Sequence, residues 1–238
     1  MKTENNFTFG NMFILGSSGF AREVSAYLRS FFPGNIILVD DNGGKDTISV
    51  KEYQEKTKDD HRAASILGSG RPEIKKKMLS QLNTQLLNVI HPRATVSTFS
   101  SIGKGCVLAP GAVISPSVSI GNHVLVNYNA SIGHDSIIDD LAVVSPNAAI
   151  GGWVHVGEGA YIGAGAYLHE RIKIGKWSVI GMGAVVLKDV PPEHIAVGVP
   201  ARLSTLEEWN SRKENKNGNG RTDQETRGDS PGGDEAAS

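Results

Sequence analysis

His134 and Asp135 stand side by side in the stretch Asn127-Tyr-Asn-Ala-Ser-Ile-Gly-His-Asp135. A carboxylate beside an imidazole sets its tautomer and suits it to proton transfer near neutral pH. Eighteen residues further on lies Gly152, the second of a Gly151-Gly152 pair. If the chain coils once every eighteen residues, the Gly152 N–H lies about 4.8 Å along the stack from the histidine. A bare backbone N–H in that place is a donor for the oxyanion of an acyl transfer. Taken alone, a histidine next to an aspartate is more often a solvated surface pair. The scaffold has to decide.

That scaffold is legible as a six-residue period. Every sixth residue from Ile90 to Val186 is aliphatic, seventeen positions without a slip. Four residues after each comes a second register, from Ala94 through Cys106, Ala130 and Ala148 to Ala184, in which every residue but Ile172 is small or slender. Gly, Asn, Asp and Pro collect between the registers. This period fits neither an amphipathic helix nor an alternating strand. It fits a coil with three flat faces, in which each hexad supplies one short strand and one corner. The aliphatic residue points into the shaft, and glycine or asparagine turns the corner. Five to six coils follow, each burying its apolar face by stacking on the next. His134 belongs to neither register, so it projects outward.

Residues 10–88 read as a separate α/β domain. Met12–Leu15 is a buried strand, Gly16-Ser-Ser-Gly19 a tight loop, and Phe20–Phe32 a helix with Ala21, Val24, Tyr27 and Leu28 on one face. Ile36–Val39 and Ser65–Leu67 read as further strands and Arg71–Leu82 as a second helix, an alternation that makes a small parallel sheet. Ligands bind such sheets at the carboxyl ends of the strands. The loop opening the first helix offers N–H groups to a phosphate. Asp40 and Asp41 are placed to accept from ribose hydroxyls or a base edge, and Gly68 lets a ligand approach closely. A short G-x-x-G also fits a purely structural turn. The full G-x-G-x-x-G of a redox dinucleotide site is missing.

The remaining composition narrows the classes. A net charge of −1 carries no nucleic-acid footprint. The one cysteine, Cys106, falls in the small register as core filler, so no intrachain disulfide forms and a reducing cytoplasm is the expected home. The apolar run near Met12–Leu15 is too short for a membrane span or a signal h-region. His91, His123, His155 and His169 form no close pair, so a metal is not expected unless two chains contribute ligands. Glu158 and Glu170 read as solvated outer-face residues. Residues 208–238, almost devoid of apolar side chains, read as a disordered tail.

Over roughly residues 10–203 the chain resembles the left-handed β-helix (hexapeptide-repeat) acetyltransferases. More narrowly, it resembles the branch with an N-terminal Rossmann-like domain, which includes N-acetyltransferases of nucleotide-linked amino sugars and O-acetyltransferases of sialic acid. The resemblance is carried by Gly16-Ser-Ser-Gly-Phe-Ala-Arg-Glu23, by Ile132-Gly-His-Asp135 within unbroken hexads, and by Val197-Gly-Val-Pro-Ala-Arg202. It implies an α/β Rossmann-like nucleotide-sugar-binding domain (10–88) followed by a left-handed parallel β-helix acetyltransferase domain (89–203), acting as a homotrimer with acetyl-CoA in the cleft between subunits. It implies His134 as general base, Asp135 as the carboxylate that tunes it, and Gly152 as the donor facing the thioester carbonyl. Ala164 and Met182 match positions lining the acetyl-CoA groove, and Asn127 matches a polar residue near the acceptor sugar. Ser18, Gly19, Phe20, Asp40, Asp41 and Gly68 match positions cradling the nucleotide. Two departures stand out. Phe20 replaces a histidine that some sugar N-acetyltransferases carry, and Val143 replaces a histidine that contacts acetyl-CoA in some members.

Three functions follow. The preferred one is acetyl-CoA-dependent N-acetylation of a nucleotide-linked 4-amino-deoxysugar for glycan synthesis, by direct transfer because no covalent nucleophile is on offer. The second is O-acetylation of a sialic-acid-type sugar. The third is a noncatalytic trimeric scaffold or sugar-nucleotide sensor in which His134 is merely solvated.

Overall fold

The computed structural model describes residues 10–42, 44, 46–205 and 207–209. The expected tail lies, from residue 210 on, outside the described residues. The amino-terminal part is a five-stranded parallel sheet built from β1 (Asn11–Leu15), β2 (Asn35–Val39), β3 (Thr47–Ile48), β4 (Ala63–Leu67) and β5 (Gln85–Leu86), in the order β3-β2-β1-β4-β5. Helices α1 (Gly19–Arg29), α2 (Val50–Thr57) and α3 (Pro72–Met78) connect these strands. β1 and β4 are buried along nearly their whole length, which is why they read as continuous apolar runs. α2 and the short strands β3 and β5 are absent from the sequence expectation. A signal for α2 was there: Ser49 and Glu52 have capping-box spacing, and the Ser49 hydroxyl accepts from the Glu52 N–H at 3.1 Å.

From Val89 the chain winds into a parallel β-solenoid. Two-residue strands recur every six residues and pair in register with those eighteen residues away, as in Val113 with Ser131 and Ile114 with Ile132. Face one begins at Val89–Ile90, face two at Thr95–Val96 and face three at Ser101–Ile102. In each strand the second residue belongs to the aliphatic register, and from Leu108 onward these residues are buried in one continuous core with the small register. The corners demand positive φ at every sixth residue, among them His123, Asp135, Trp153 and Arg171. At the carboxyl end, His194–Val197 extends face one in parallel, and Arg202–Thr205 pairs back antiparallel on it.

The outward residues of face one are Val107, Leu125, Val143 and Tyr161, and they join Val89 in an apolar cluster with Met12, Ile14, Val24, Leu28 and Ile66. The α/β domain is docked on that face. Val143 is therefore 1% exposed beneath the other domain. α3 completes the seam: Lys75, only 2% exposed, donates to the carbonyls of His123 at 2.5 Å and Ala142 at 3.4 Å. Lys76 lies 4.6 Å over the Trp177 ring.

Candidate active site

The corner between faces two and three positions His134. Ser131–Ile132 enters the corner, Gly133 to Ser136 make it, and Ile137–Ile138 leaves. The Ser136 hydroxyl donates to the Gly151 carbonyl at 3.0 Å and accepts from the Val154 N–H at 3.1 Å, locking this corner to the next coil. His134 Nδ1 and Asp135 Oδ2 are 2.8 Å apart, with the side chains about half exposed. The carboxylate is an acceptor, so in the neutral imidazole Nδ1 carries the proton and the lone pair sits on Nε2.

Gly152 sits against the free edge of that ring. A Cβ placed on Gly152 would lie 2.9 Å from both Nε2 and Cε1 of His134. Only glycine leaves the imidazole where it is. The Gly152 carbonyl accepts from the Arg171 N–H at 2.9 Å, whereas its own N–H donates to nothing among the described residues. At two equivalent positions on another corner the N–H is capped by the next coil: Lys104 N–H donates to Asn122 Oδ1 at 3.0 Å and Asn122 N–H to Asp140 Oδ1 at 2.7 Å. The Gly152 N–H has no such cap and stays open beside the imidazole. A lone pair and an unspent N–H on one ledge are the two elements an acyl transfer requires.

Two residues at this corner were not singled out from the sequence. The Trp153 ring lies 4.4 Å from the His134 ring at 84°, and the Arg171 guanidinium lies 4.0 Å over Trp153. The signal was available, since 153 and 171 are eighteen apart. A second pair, His155 Nε2 to Asp139 Oδ2 at 2.8 Å, lies across face three to corner. There Nε2 is the nitrogen already engaged.

The other expected site residues lie elsewhere on the chain. Asn127, Ala164 and Met182 share the corner between faces one and two; Asn127 is buried and Met182 is 81% exposed. The N–H groups of Ala164 and Met182 also donate to nothing among the described residues. Ser18, Asp40, Asp41 and Gly68 line one cavity of about 380 Å³ in the α/β domain, together with Ser17, Asn42, Arg71 and Lys77. Gly19 and Phe20 are not in that lining; Phe20 packs into the apolar cluster against face one. Asp40 Oδ2 accepts from the Ser17 N–H at 3.0 Å and from the Ser17 hydroxyl, and Asp40 Oδ1 accepts from the Asn42 N–H at 3.0 Å. The Ser17 hydroxyl is the main reason the Asp40 carboxyl is held below its usual range. Asp41 caps α2 by accepting from the Val50 N–H at 2.8 Å. Both aspartates thus shape the pocket rim before any ligand arrives. Among the described residues, no three His, Cys, Asp or Glu side chains converge as a metal site would need. No helix among them is long and apolar enough to cross a membrane.

Residues 154–188 match the family described as bacterial transferase hexapeptide (six repeats). A Schizosaccharomyces pombe protein named as an acetyltransferase is 61% identical over 31 residues, a match spanning 13% of this chain and 15% of that protein. Among solved structures, a mutant of perosamine N-acetyltransferase from Caulobacter crescentus, in complex with CoA and GDP-perosamine, superposes with a TM-score of 0.77 at 26% identity, over 82% of this chain and 97% of that one. WeeI from Acinetobacter baumannii gives 0.75 at 28% identity, over 81% and 99%. The acetyltransferase domain of PglB from Neisseria gonorrhoeae, in complex with acetyl coenzyme A, gives 0.72 at 26% identity, over 82% and 98%.

Proposed function

We propose that this chain, a hexapeptide-repeat acetyltransferase that draws on acetyl-CoA, N-acetylates a nucleotide-linked 4-amino-deoxysugar with His134 as its general base. The single observation behind the base assignment is the ledge at Gly152: His134 Nε2 lies against it, and its N–H is unspent. In this reading the acceptor amine attacks the thioester carbonyl while His134 Nε2 takes the amine proton. The C–N bond forms, and the Gly152 N–H holds the oxyanion. The C–S bond then breaks, and the proton passes to the departing thiolate, giving CoA thiol. Asp135 holds the imidazole by its Nδ1–H throughout.

The acceptor class is supported by the Caulobacter relative, which binds GDP-perosamine, and by the polar cavity of the α/β domain. We read that domain (10–88) as Rossmann-like and nucleotide-binding, with Ser18, Asp40, Asp41 and Gly68 as its contacts. The solenoid (89–203) is read as a left-handed β-helix. The catalytic corner, the Ala164–Met182 corner and the nucleotide cavity lie on separate parts of one chain. A homotrimer, in which one subunit's His134 corner faces another's Ala164 and Met182, makes a complete site out of them, with Asn127 near the acceptor sugar.

A thiol-release assay with acetyl-CoA against nucleotide-linked amino sugars and free sialic acids tests the reading. Turnover confined to an amino sugar supports it, and turnover only on a sialic acid replaces it with O-acetylation. His134→Ala is expected to lower turnover by roughly 100-fold or more with little loss of folding, since the side chain is half exposed. Unchanged activity in that variant would remove His134 from the mechanism.

A further inference from the structure

Neither burial nor backbone preference accounts for a tryptophan at position 153. The side chain is 44% exposed, and the residue has φ 54°, a conformation in which glycine is the easier occupant. The same place in the coils below and above holds Asp135 and Arg171. These three residues therefore form a ladder up the corner, one rung per coil. His134 leans across its first two rungs: Nδ1 is bonded to Asp135, and the ring is packed T-shaped against Trp153 at 4.4 Å. The Trp153 N–H donates to the His134 carbonyl at 2.9 Å, so backbone and ring act on the same residue. Arg171 then covers the indole at 4.0 Å.

A half-exposed histidine with one hydrogen bond has freedom to rotate about its side-chain torsions. Asp135 restrains one nitrogen only. Gly152 offers no side chain to stop the ring. The indole is the wall on the remaining side, and an aromatic pair at this separation and angle is attractive beyond simple contact. The arginine, stacked in a cation–π arrangement, holds the indole upright.

We propose that Trp153, pinned by Arg171, is a positioning residue that holds the His134 imidazole with Nε2 over the Gly152 ledge. This rests on the reading of His134 as general base, but the restraint on the ring exists whether or not that reading stands. Trp153 is assigned no contact with the reacting atoms.

Two variants, Trp153→Phe and Trp153→Gly, test it in the full-length protein. With ¹³C-labelled histidine, the His134 Cε1 signal, identified by its loss in His134→Ala, reports the ring's mobility. Trp153→Gly is expected to make the ring mobile and Trp153→Phe to restore its order; a ring equally ordered in all three proteins overturns the proposal. The melting temperature of Trp153→Gly should hold or rise, because glycine suits the backbone there. Steady-state thiol release with acetyl-CoA and GDP-perosamine as probe supplies the kinetic arm. Trp153→Gly should lower kcat by roughly 10-fold or more with both KM values unchanged, and Trp153→Phe should recover most of the loss. A rise in acceptor KM at constant kcat would make Trp153 a substrate contact and overturn its positioning role. Should His134→Ala keep full activity, the general-base reading fails, while the mobility measurement still decides what Trp153 does.

Discussion

Gly152→Ala separates the chemistry of the corner from its stability. The added Cβ would lie 2.9 Å from Nε2 and Cε1 of His134, where ordinary contact begins at about 3.4 Å, so the ring must retreat by roughly 0.5–1 Å. It can do so, because His134 is half exposed. Its bond to Asp135 is worth at most about 1 kcal/mol at such exposure. Gly152 does not have a positive φ, so alanine fits its backbone, and the stiffer unfolded chain returns about 0.4–1 kcal/mol. These effects cancel, and the melting temperature should hardly move. Activity should not survive so well. A displacement near 1 Å of a catalytic group costs on the order of 100-fold, even though the alanine keeps the N–H proposed as oxyanion donor. Gly151→Ala is the control. Its Cβ would meet backbone, the Glu170 N at 2.7 Å and the Leu168 carbonyl oxygen at 3.0 Å, so it should lose stability instead. Paired thermal melts and thiol-release kinetics give the answer. A Gly152→Ala protein within a few-fold of parental kcat would refute the placement of His134 Nε2 over that ledge.

Three further outcomes are expected. Burial pulls the Lys75 ammonium down to about 7, while an unfolded lysine titrates near ~10.4; between those values the unfolded chain holds a proton that the folded one lacks, so stability rises with pH across the window. Lys75→Met should flatten that rise, and parallel melting curves for the two proteins from pH 6.5 to about 9.5 would contradict the assignment. Gly68→Ala would place a Cβ 2.7 Å from Ile14 Cγ2, 2.8 Å from Ala21 Cβ and 2.9 Å from the Leu15 carbonyl oxygen, an overpacking worth roughly 1–3 kcal/mol that chemical denaturation should register. Analytical ultracentrifugation should find trimers at the concentrations where the enzyme turns over, and an active monomer would dismantle the shared site.

Much of this molecule was legible in the linear chain because its period is local. In a six-residue coil, a position in the repeat already says whether a side chain points inward, outward or into a corner. The buried aliphatic and small registers, the outward His134 and the Gly152 that meets it one coil later all follow from counting. One further signal lay in the count: the residue before the aliphatic position is apolar in every third hexad, at Val89, Val107, Leu125, Val143 and Tyr161. That marks the face on which the α/β domain docks. The Trp153–Arg171 stack is spaced the same way.

Tertiary structure alone decided what had no period to follow. Asp40 accepts from Ser17, 23 residues away, at the ends of two paired strands, and Lys75 reaches carbonyls 48 and 67 residues away; the first bond depends on how strands pair and the second on how the α/β domain meets the solenoid, which no local pattern encodes. The same holds for the site. Residues the repeat treats as equivalent fall on different corners of the shaft, so His134 and Met182 stand at different corners and in different coils of one chain however regular their spacing. Counting by six locates each group, and only the packing of corners and domains brings groups together.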